Sequence, residues 1–263
     1  MGSDRLALVT GASAGIGYEL ARILAAERYD LLLAARRLEK LEELSVELRH
    51  EHGISVRPIG ADLSAVGAAE RLFREATASG RPIDLLVNNA GVGVFGPFAD
   101  TPLGDSLRLL RLNVETLTVL TRLCLPEMIA RGHGRILNVA STAAFQPGPH
   151  MAAYYASKAF VLHLGEALAE ELRGSGVTVT TLCPGPTRTE FQTRARMGRS
   201  LLTRGAWMAD AAGVARAGYR GMMRERTVVV PGLPNKLTPW GARLLPRRLL
   251  TRLVRWIQAP RAS

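Results

Sequence analysis

Three side chains that together could transfer a proton lie at fixed distances along the chain. Lys158 follows Tyr154 by four residues, and Ser141 precedes the tyrosine by 13 residues. Four residues make about one helical turn, so on a helix the phenol and the ammonium lie on the same face. A nearby cation favours phenolate, which makes the tyrosine a tunable acid. The hydroxyl of Ser141 could then hold a substrate carbonyl against this acid.

A glycine-rich turn near the start of the chain predicts a nucleotide site. It follows an apolar strand pattern at 5–10 and precedes a helix with one apolar stripe. The glycines are Gly11, Gly15 and Gly17, with the spacing Gly-x-x-x-Gly-x-Gly. Glycine permits a tight turn, close approach of a pyrophosphate and close packing of helix on strand. Free N–H groups and the positive end of the helix then face the phosphates, although an ordinary glycine turn is the alternative.

The bulk composition is that of one folded domain. The chain has 263 residues, of which 47% are hydrophobic and 22% charged. No apolar run approaches the roughly 20 residues that span a bilayer. The first residues carry no signal-peptide core, so the cytoplasm is the default expectation. The histidines form no ligand cluster, and we predict no metal; Cys124 and Cys183 are expected to be buried free thiols.

Strand and helix patterns alternate along the chain. We predict strands at 5–10, 30–35, 54–60, 83–88, 134–140, 177–182 and 226–230, and helices near 15–28, 37–51, 65–79, 101–131, 152–173 and 206–224. This alternation predicts an α/β fold, with a single Rossmann-type doubly wound parallel sheet and helices on both faces. Residues 1–232 would form this domain, including an irregular flap at 186–205, and residues 233–263 a basic extension.

Together these motifs resemble those of the short-chain dehydrogenase/reductase family. The resemblance runs from about residue 4 to about residue 230 and rests on Thr10-Gly11-Ala12-Ser13-Ala14-Gly15-Ile16-Gly17, Asn88-Asn89-Ala90-Gly91, Asn113, Ser141, Tyr154, Lys158 and Pro184-Gly185-Pro186-Thr187. It implies an oxidoreductase that interconverts a carbonyl and an alcohol by hydride transfer. Tyr154 would be the acid and base, and Ser141 would orient the substrate oxygen. Lys158 would hold the nicotinamide ribose and, together with the positive oxidised nicotinamide, lower the pKa of the tyrosine. Asn113 would anchor a water in a proton relay.

The end of the second predicted strand indicates which dinucleotide binds. NAD sites usually place an acidic residue there, to bond the ribose 2′-hydroxyl. This chain instead has Ala35 followed by Arg36 and Arg37. An arginine pairs with a 2′-phosphate that a carboxylate would repel. We therefore predict NADP(H), with Arg36 as the main contact and Ser13 as its neighbour; the alternative is that both arginines are the solvated start of a helix.

The resemblance assigns the remaining cofactor contacts. Asp62 and Leu63 would flank the adenine, although Asp62 could also be the N-cap of the next helix. Asn88 would brace the sheet, and residues 184–187 would lie by the nicotinamide. The full predicted cofactor set is Gly11, Ser13, Gly15, Ile16, Gly17, Arg36, Arg37, Asp62, Leu63, Asn89, Ala90, Gly91, Tyr154, Lys158, Pro184, Gly185 and Thr187.

The substrate is expected to be hydrophobic. Tyr155 is a rival acid, but only Tyr154 has both the lysine spacing and the family's serine spacing, so we expect Tyr155 to pack. An apolar pocket fits a hydrophobic ketone, aldehyde or secondary alcohol. Its expected lining residues, each of which could instead belong to the core, are Val92, Val94, Phe95, Phe98, Phe145, Met151, Phe191, Trp207 and Met208.

Much of the net charge of +11 lies in the extension. Residues 236–263 hold seven basic side chains and no acidic one, which argues against a nucleic-acid partner for the domain. From Pro246 onward, Leu249, Leu250, Leu253, Val254 and Ile257 recur at helical spacing among arginines. This pattern predicts an amphipathic helix. It would pack on its own domain or on a sister subunit, or lie on an anionic membrane surface.

Two further expectations concern assembly and activity. The Gly-rich closure that follows the last strand in many tetrameric family members is absent, and about 30 residues follow instead. We expect a homo-oligomer, either a dimer or a tetramer. The alternatives to an enzyme are an NADP-sensing protein that kept the fold without turnover and, from the high pI of about 10.7, a nucleic-acid-binding protein.

Overall fold

A parallel sheet of seven strands forms the centre of the molecule. The computed structural model describes residues 4–195 and 208–258. The strands are β1 (Leu6–Thr10), β2 (Asp30–Ala35), β3 (Val56–Gly60), β4 (Leu85–Asn88), β5 (Gly134–Val139), β6 (Val177–Leu182) and β7 (Val228–Val229). Their spatial order is β3-β2-β1-β4-β5-β6-β7, and every neighbouring pair is parallel. The order reverses between β1 and β4, and ligands bind at such a switch point.

Helices cover both faces of the sheet. They are α1 (Gly15–Ala26), α2 (Leu38–His52), α3 (Ala68–Thr77), α4 (Leu103–Leu110), α5 (Thr116–Ala130), α6 (Ala152–Glu171), α7 (Phe191–Arg194), α8 (Ala211–Met223), α9 (Leu233–Leu244) and α10 (Arg247–Gln258). The predicted doubly wound α/β fold is confirmed. A single helix was predicted over 101–131. The structure instead has a π-helical turn at Arg111–Glu115 between α4 and α5. Within the described ranges, no helix is long and apolar enough to cross a membrane.

The central strands are buried on both sides, as is usual for a parallel sheet. In β2, Leu31 and Leu33 join the core cluster beneath α1, α2 and α8, while Leu32 and Ala34 join the cluster beneath α3 and α5. Alternate side chains of a strand point to opposite faces, so an almost continuous apolar run serves both clusters. Burial of one leucine contributes about 2 kcal/mol. The two clusters therefore hold the sheet in place as the base of a site.

Polar side chains brace the middle of the sheet. The Asn88 Nδ2 donates to Asn138 Oδ1 at 2.9 Å and to Thr121 Oγ1 at 3.0 Å. Asn88 and Asn138 are paired in register across β4 and β5. These bonds tie α5 to the two central strands, which agrees with the bracing role expected for Asn88.

The start of the flap is joined to the chain just beyond the flap's predicted end. Thr187 and Ala209 form a parallel bridge, in which Arg188 N donates to Ala209 O at 2.9 Å and Ala209 N donates to Pro186 O at 2.9 Å. The first part of the flap contains α7, while residues 196–205, together with the predicted lining residue Trp207, lie outside the described residues. The bridge fixes residues 186–195 over the carboxyl edge of the sheet.

Candidate active site

A cavity of about 1020 Å³ lies at the carboxyl edge of the sheet. This volume is at the upper end of the usual range for ligand sites, about 300–1,000 Å³. Gly17 and Asn113 are not in its wall. The predicted site residues that do line it are Gly11, Ser13, Gly15, Ile16, Arg36, Arg37, Asp62, Leu63, Asn89, Ala90, Gly91, Ser141, Tyr154, Lys158, Pro184, Gly185 and Thr187.

The glycine-rich turn is shaped by three glycines with different tasks. Gly11 and Gly15 have φ values of +68° and +59°, which favour glycine. Gly17 has an ordinary φ, but a Cβ there would collide with Gly11 O and with Asn89 Nδ2. It therefore packs α1 against the turn rather than facing the cavity. No side chain caps the start of α1 at Ala14, so its first N–H groups remain available to an anion.

The turn after β1 is clamped to the turn after β4. Thr10 Oγ1 accepts from the backbone N of Asn89 at 3.0 Å and of Ala90 at 3.1 Å. In return, Asn89 Nδ2 donates to Thr10 O at 2.9 Å and to Gly11 O at 3.2 Å. Both turns lie at the switch point, so these bonds set the floor of the cavity. Asn89 thus acts on the glycine turn as well as lining the site.

The two arginines after β2 have different surroundings. Arg37 is half-buried, and its Nη2 donates to Ser13 O at 3.1 Å and lies 3.0 Å from Glu190 Oε2. Arg36 is exposed, lines the cavity and makes no hydrogen bond to the described part of the chain. Both arginines lie directly before α2, as expected if they were the solvated start of that helix. Nothing in the sequence signals Glu190, because it lies 153 residues beyond Arg37.

Asp62 is engaged in a turn on the adenine side of the predicted site. Its Oδ1 accepts from Ser64 Oγ at 2.6 Å, and its Oδ2 lies 3.2 Å from Arg108 Nη2. Burial raises the pKa of Asp62, but the Ser64 bonds and the charges of Arg108 and Arg36 outweigh it and hold the pKa below its usual value. The N-cap expectation is wrong, because α3 starts only after Gly67. Arg108 was not predicted from the sequence.

Ser141, Tyr154 and Lys158 converge at the other end of the cavity. Tyr154 and Lys158 lie on one face of α6, and Ser141 caps the short 3-10 turn that follows β5. The Ser141 hydroxyl lies near enough to the Tyr154 phenol to lower its pKa. Its Oγ also accepts from Ala143 N at 3.1 Å and donates to Pro184 O at 3.4 Å. The hydroxyl is thereby fixed beside the phenol.

Burial dominates the electrostatics of the pair. It raises the pKa of Tyr154 to about 12, partly countered by the nearby Ser141 hydroxyl. Burial also lowers the pKa of Lys158 to about 8. Lys158 Nζ donates to Val139 O at 2.8 Å and lies 5.9 Å from the centre of the Tyr154 ring. Burial of the phenol therefore dominates the pKa of Tyr154, and the lowering expected from Lys158 together with the oxidised nicotinamide stays a prediction.

Asn113 joins the loop after β4 to helix α6. Its Oδ1 accepts from Val92 N at 2.9 Å, and its Nδ2 donates to Val92 O at 2.9 Å and to Ser157 Oγ at 3.1 Å. Ser157 in turn donates to Tyr154 O at 2.7 Å. The π-helical turn at Asn113 places the amide at this junction. Ser157 was missed, although it lies within the Tyr154–Lys158 motif; the water-relay role of Asn113 stays a prediction.

The apolar end of the cavity is only partly as predicted. Phe98 is 67% exposed, and Phe145 packs in a separate core cluster; neither they nor Met208 line the cavity. The expectation is therefore wrong for these three. Tyr155 is buried, as expected, although it also lines the cavity. The predicted residues that do line it are Val92, Val94, Phe95, Met151 and Phe191, whose ring lies 5.3 Å from that of Tyr154.

Comparison with known proteins agrees with this geometry. Residues 5–200 match the family model of short chain dehydrogenases. The chain belongs to this family. It is 36% identical to a short chain dehydrogenase of Pseudocercospora fijiensis over 189 residues, which cover 71% of this chain and 61% of that protein. It is also 36% identical to an uncharacterized oxidoreductase of Bacillus subtilis over 187 residues, covering 71% of this chain and 69% of that one. This short chain dehydrogenase is thus an oxidoreductase by family.

Solved structures of the family superpose over most of the chain. A short-chain dehydrogenase from Sphingobium yanoikuyae in complex with NADPH has a TM-score of 0.83 and 33% identity, covering 97% of this chain and 98% of that chain. A bulky-bulky ketone specific alcohol dehydrogenase from Comamonas testosteroni has a TM-score of 0.77 and 30% identity, covering 87% of this chain and 86% of that one. A 7beta-hydroxysteroid dehydrogenase has a TM-score of 0.85 and 25% identity, covering 95% of this chain and 96% of that chain.

Proposed function

We propose that this dehydrogenase is an NADP(H)-dependent enzyme that interconverts a bulky, hydrophobic ketone or aldehyde and its alcohol. One observation carries the proposal. A single cavity has the glycine turn and Arg36 at one end and Ser141, Tyr154 and Lys158 at the other. A dinucleotide laid across the switch point would bring its two ends to these two groups.

The residues present fit NADP(H) better than NAD(H). The rim after β2 offers the Arg36 guanidinium, which is free of hydrogen bonds to the described residues, and no carboxylate stands at Ala35. The uncapped start of α1 suits the pyrophosphate. Lys158 Nζ would hold the nicotinamide ribose, and the small Gly91 leaves room beside it, since a Cβ there would lie 3.5 Å from Nζ. The relative from Sphingobium yanoikuyae was solved with NADPH.

In the direction of reduction, Tyr154 would be the proton donor. A pKa of about 12 keeps the phenol protonated near neutral pH, which is the form that gives a proton to a carbonyl oxygen. Bound NADPH supplies the hydride for the carbonyl carbon. Ser141 Oγ, held by Ala143 N, would turn its single proton from Pro184 O to the same oxygen and orient it. Lys158, charged below a pH of about 8, would favour the phenolate that remains.

The substrate class follows from the apolar end of the cavity. Phe95, Met151 and Phe191 lie around the phenol and offer few polar partners, so a large apolar group beside the carbonyl is favoured. Two of the structural relatives carry names that refer to bulky ketones and to a hydroxysteroid. These names support a bulky substrate for this chain.

A panel of bulky ketones tests the proposal against an NADP-sensing protein of the same fold. Oxidation of NADPH is followed by its absorbance. Tyr154→Phe should abolish turnover and keep NADPH binding, because only the proton donor is removed. Tyr155→Phe is the matched control. This variant should still reduce ketones, because it keeps Tyr154 as the proton donor. Tight NADPH binding with no turnover on any ketone would favour the sensing protein, and loss of turnover only in Tyr155→Phe would refute the assignment of the acid.

A further inference from the structure

The C-terminal helix α10 is anchored beside the apolar end of the cavity. Leu250 and Val254 are buried in a cluster with Met151 and Tyr155, which line the cavity. One turn further, the Gln258 side chain is also buried and hydrogen-bonds to the Tyr155 hydroxyl. This inward face fixes the orientation of α10, and therefore determines which side chains it presents to solvent.

The outer faces of α9 and α10 are apolar, and their large side chains are exposed. On α9 the exposed side chains are Leu233, Leu237, Trp240 and Leu244, and on α10 they are Leu249, Leu253 and Trp256. Their exposed fractions range from 43% to 79%. Spacings of three and four residues place each set on one side of its helix. On α10 the domain itself covers Leu250, Val254 and Gln258, and it leaves Leu249 and Leu253 exposed.

These outer faces also carry positive charge that nothing in the extension neutralises. Lys236, Arg247, Arg248, Arg252 and Arg255 are exposed. No acidic residue follows Glu225 in the sequence. Within the described part of the chain, the ion pairs found involve none of these five cations. The extension thus combines exposed leucines and tryptophans with uncompensated basic side chains.

A second copy of the chain is a poor occupant for such a surface. In a two-fold symmetric interface the same patch meets itself, so five cations would oppose five cations. An anionic bilayer supplies what the patch lacks. Leucine and tryptophan side chains enter the boundary between headgroups and acyl chains, and arginines pair with the headgroup phosphates. We propose that the outer faces of α9 and α10 dock the protein on an anionic lipid surface.

Flotation with vesicles tests the proposal. The full-length protein should float with vesicles of phosphatidylcholine mixed with phosphatidylglycerol, and far less with phosphatidylcholine alone. Replacement of Arg247, Arg248, Arg252 and Arg255 by glutamine should lower the partition coefficient by at least about a hundredfold, because each basic side chain near an anionic surface contributes roughly fivefold. Added salt should weaken the binding of the unmutated protein.

Two control variants separate the outer faces from general properties of the protein. Arg74, Arg122, Arg216 and Arg224 are exposed on the main domain, and their replacement by glutamine removes the same charge. This variant should float nearly as well as the unmutated protein. Leu237→Ser with Trp240→Ser should lower binding, whereas Val46→Ser with Val66→Ser, at similarly exposed valines, should not.

Three outcomes would overturn the proposal. The first is an unmutated protein that does not float with anionic vesicles. The second is an equal loss of binding in the two arginine variants, which would indicate attraction by net charge alone. The third is an unmutated protein that does not bind vesicles and is an oligomer, together with a Leu237→Ser, Trp240→Ser variant that is a monomer. That result would assign the outer faces to contacts between protein chains.

Discussion

Replacing Lys158 by methionine would remove a buried charge from the candidate active site. The lysine is only 6% exposed, and burial is the main cause that lowers its pKa from 10.5 to about 8. The charged side chain is therefore less stable in the folded protein than in the unfolded chain. Methionine has a similar length and no charge, so this cost disappears. We expect Lys158→Met to lose activity and yet to be more stable than the unmutated protein near neutral pH.

The size of the effect follows from the pKa. A fall from 10.5 to about 8 corresponds to about 3 kcal/mol, at about 1.4 kcal/mol for each pH unit. Methionine also loses the bond from Nζ to Val139 O, which contributes about 1 kcal/mol. The net gain in the free energy of unfolding is about 2 kcal/mol near neutral pH.

The gain should depend on pH in a defined way. Below a pH of about 8 both states of the unmutated protein carry the charge, so the folded state bears the full cost. Between about 8 and 10.5 the unfolded chain binds more protons than the folded one, so the stability of the unmutated protein rises with pH. The advantage of methionine should therefore shrink through this window and reverse near its upper end, where only the lost bond to Val139 O remains and the variant is less stable by about 1 kcal/mol.

Urea unfolding of both proteins across this pH window measures the difference. Lys40→Met is the control, because Lys40 is exposed and pairs with Glu43 at the surface. It should change stability by less than about 1 kcal/mol at every pH. A Lys158→Met protein that is less stable than the unmutated one near neutral pH, or a difference that does not change with pH, would refute the reasoning.

Two further predictions concern the cofactor and the glycine turn. The unmutated protein should bind NADPH at least about tenfold more tightly than NADH, or roughly 1.4 kcal/mol, as measured by titration with each dinucleotide. Ala35→Asp with Arg36→Ala should reverse this preference, and equal affinities in the unmutated protein would contradict it. Gly17→Ala should lower the free energy of unfolding by about 1–3 kcal/mol, since its Cβ would collide with Gly11 O. Gly104→Ala, where a Cβ meets nothing within 4 Å, should instead stabilise α4 slightly; similar effects of the two substitutions would argue against the packing role of Gly17.

The sequence was sufficient to predict the architecture and the general position of the site. Apolar runs such as Leu31–Ala35 alternate with helical stripes, and this alternation favours a parallel sheet with helices on both faces. In such a sheet the carboxyl ends of all strands lie at one edge. Residues that follow strands, such as Gly11, Asn89 and Ser141, therefore had to come together, and the structure places all three in one cavity.

Only the tertiary structure shows which side of α10 packs on the domain and which side faces solvent. Helical spacing predicted an amphipathic α10, but not that Leu250 and Val254 would face the cavity cluster while Leu249 and Leu253 face solvent. Periodicity gives the angle between side chains around a helix axis. It does not give the rotation of the helix about that axis relative to the domain.

Pairings between distant residues were also beyond the sequence. Arg37 meets Glu190, and Asn113 closes on Val92, because the fold brings separate loops to the same edge of the sheet. The pKa of Tyr154 also depends on tertiary packing. The four-residue spacing to Lys158 predicted a lowering influence, but it did not show the burial that raises the pKa to about 12. Spacing along a helix fixes which groups are neighbours, but the water excluded from around them is set by every element that packs against the site.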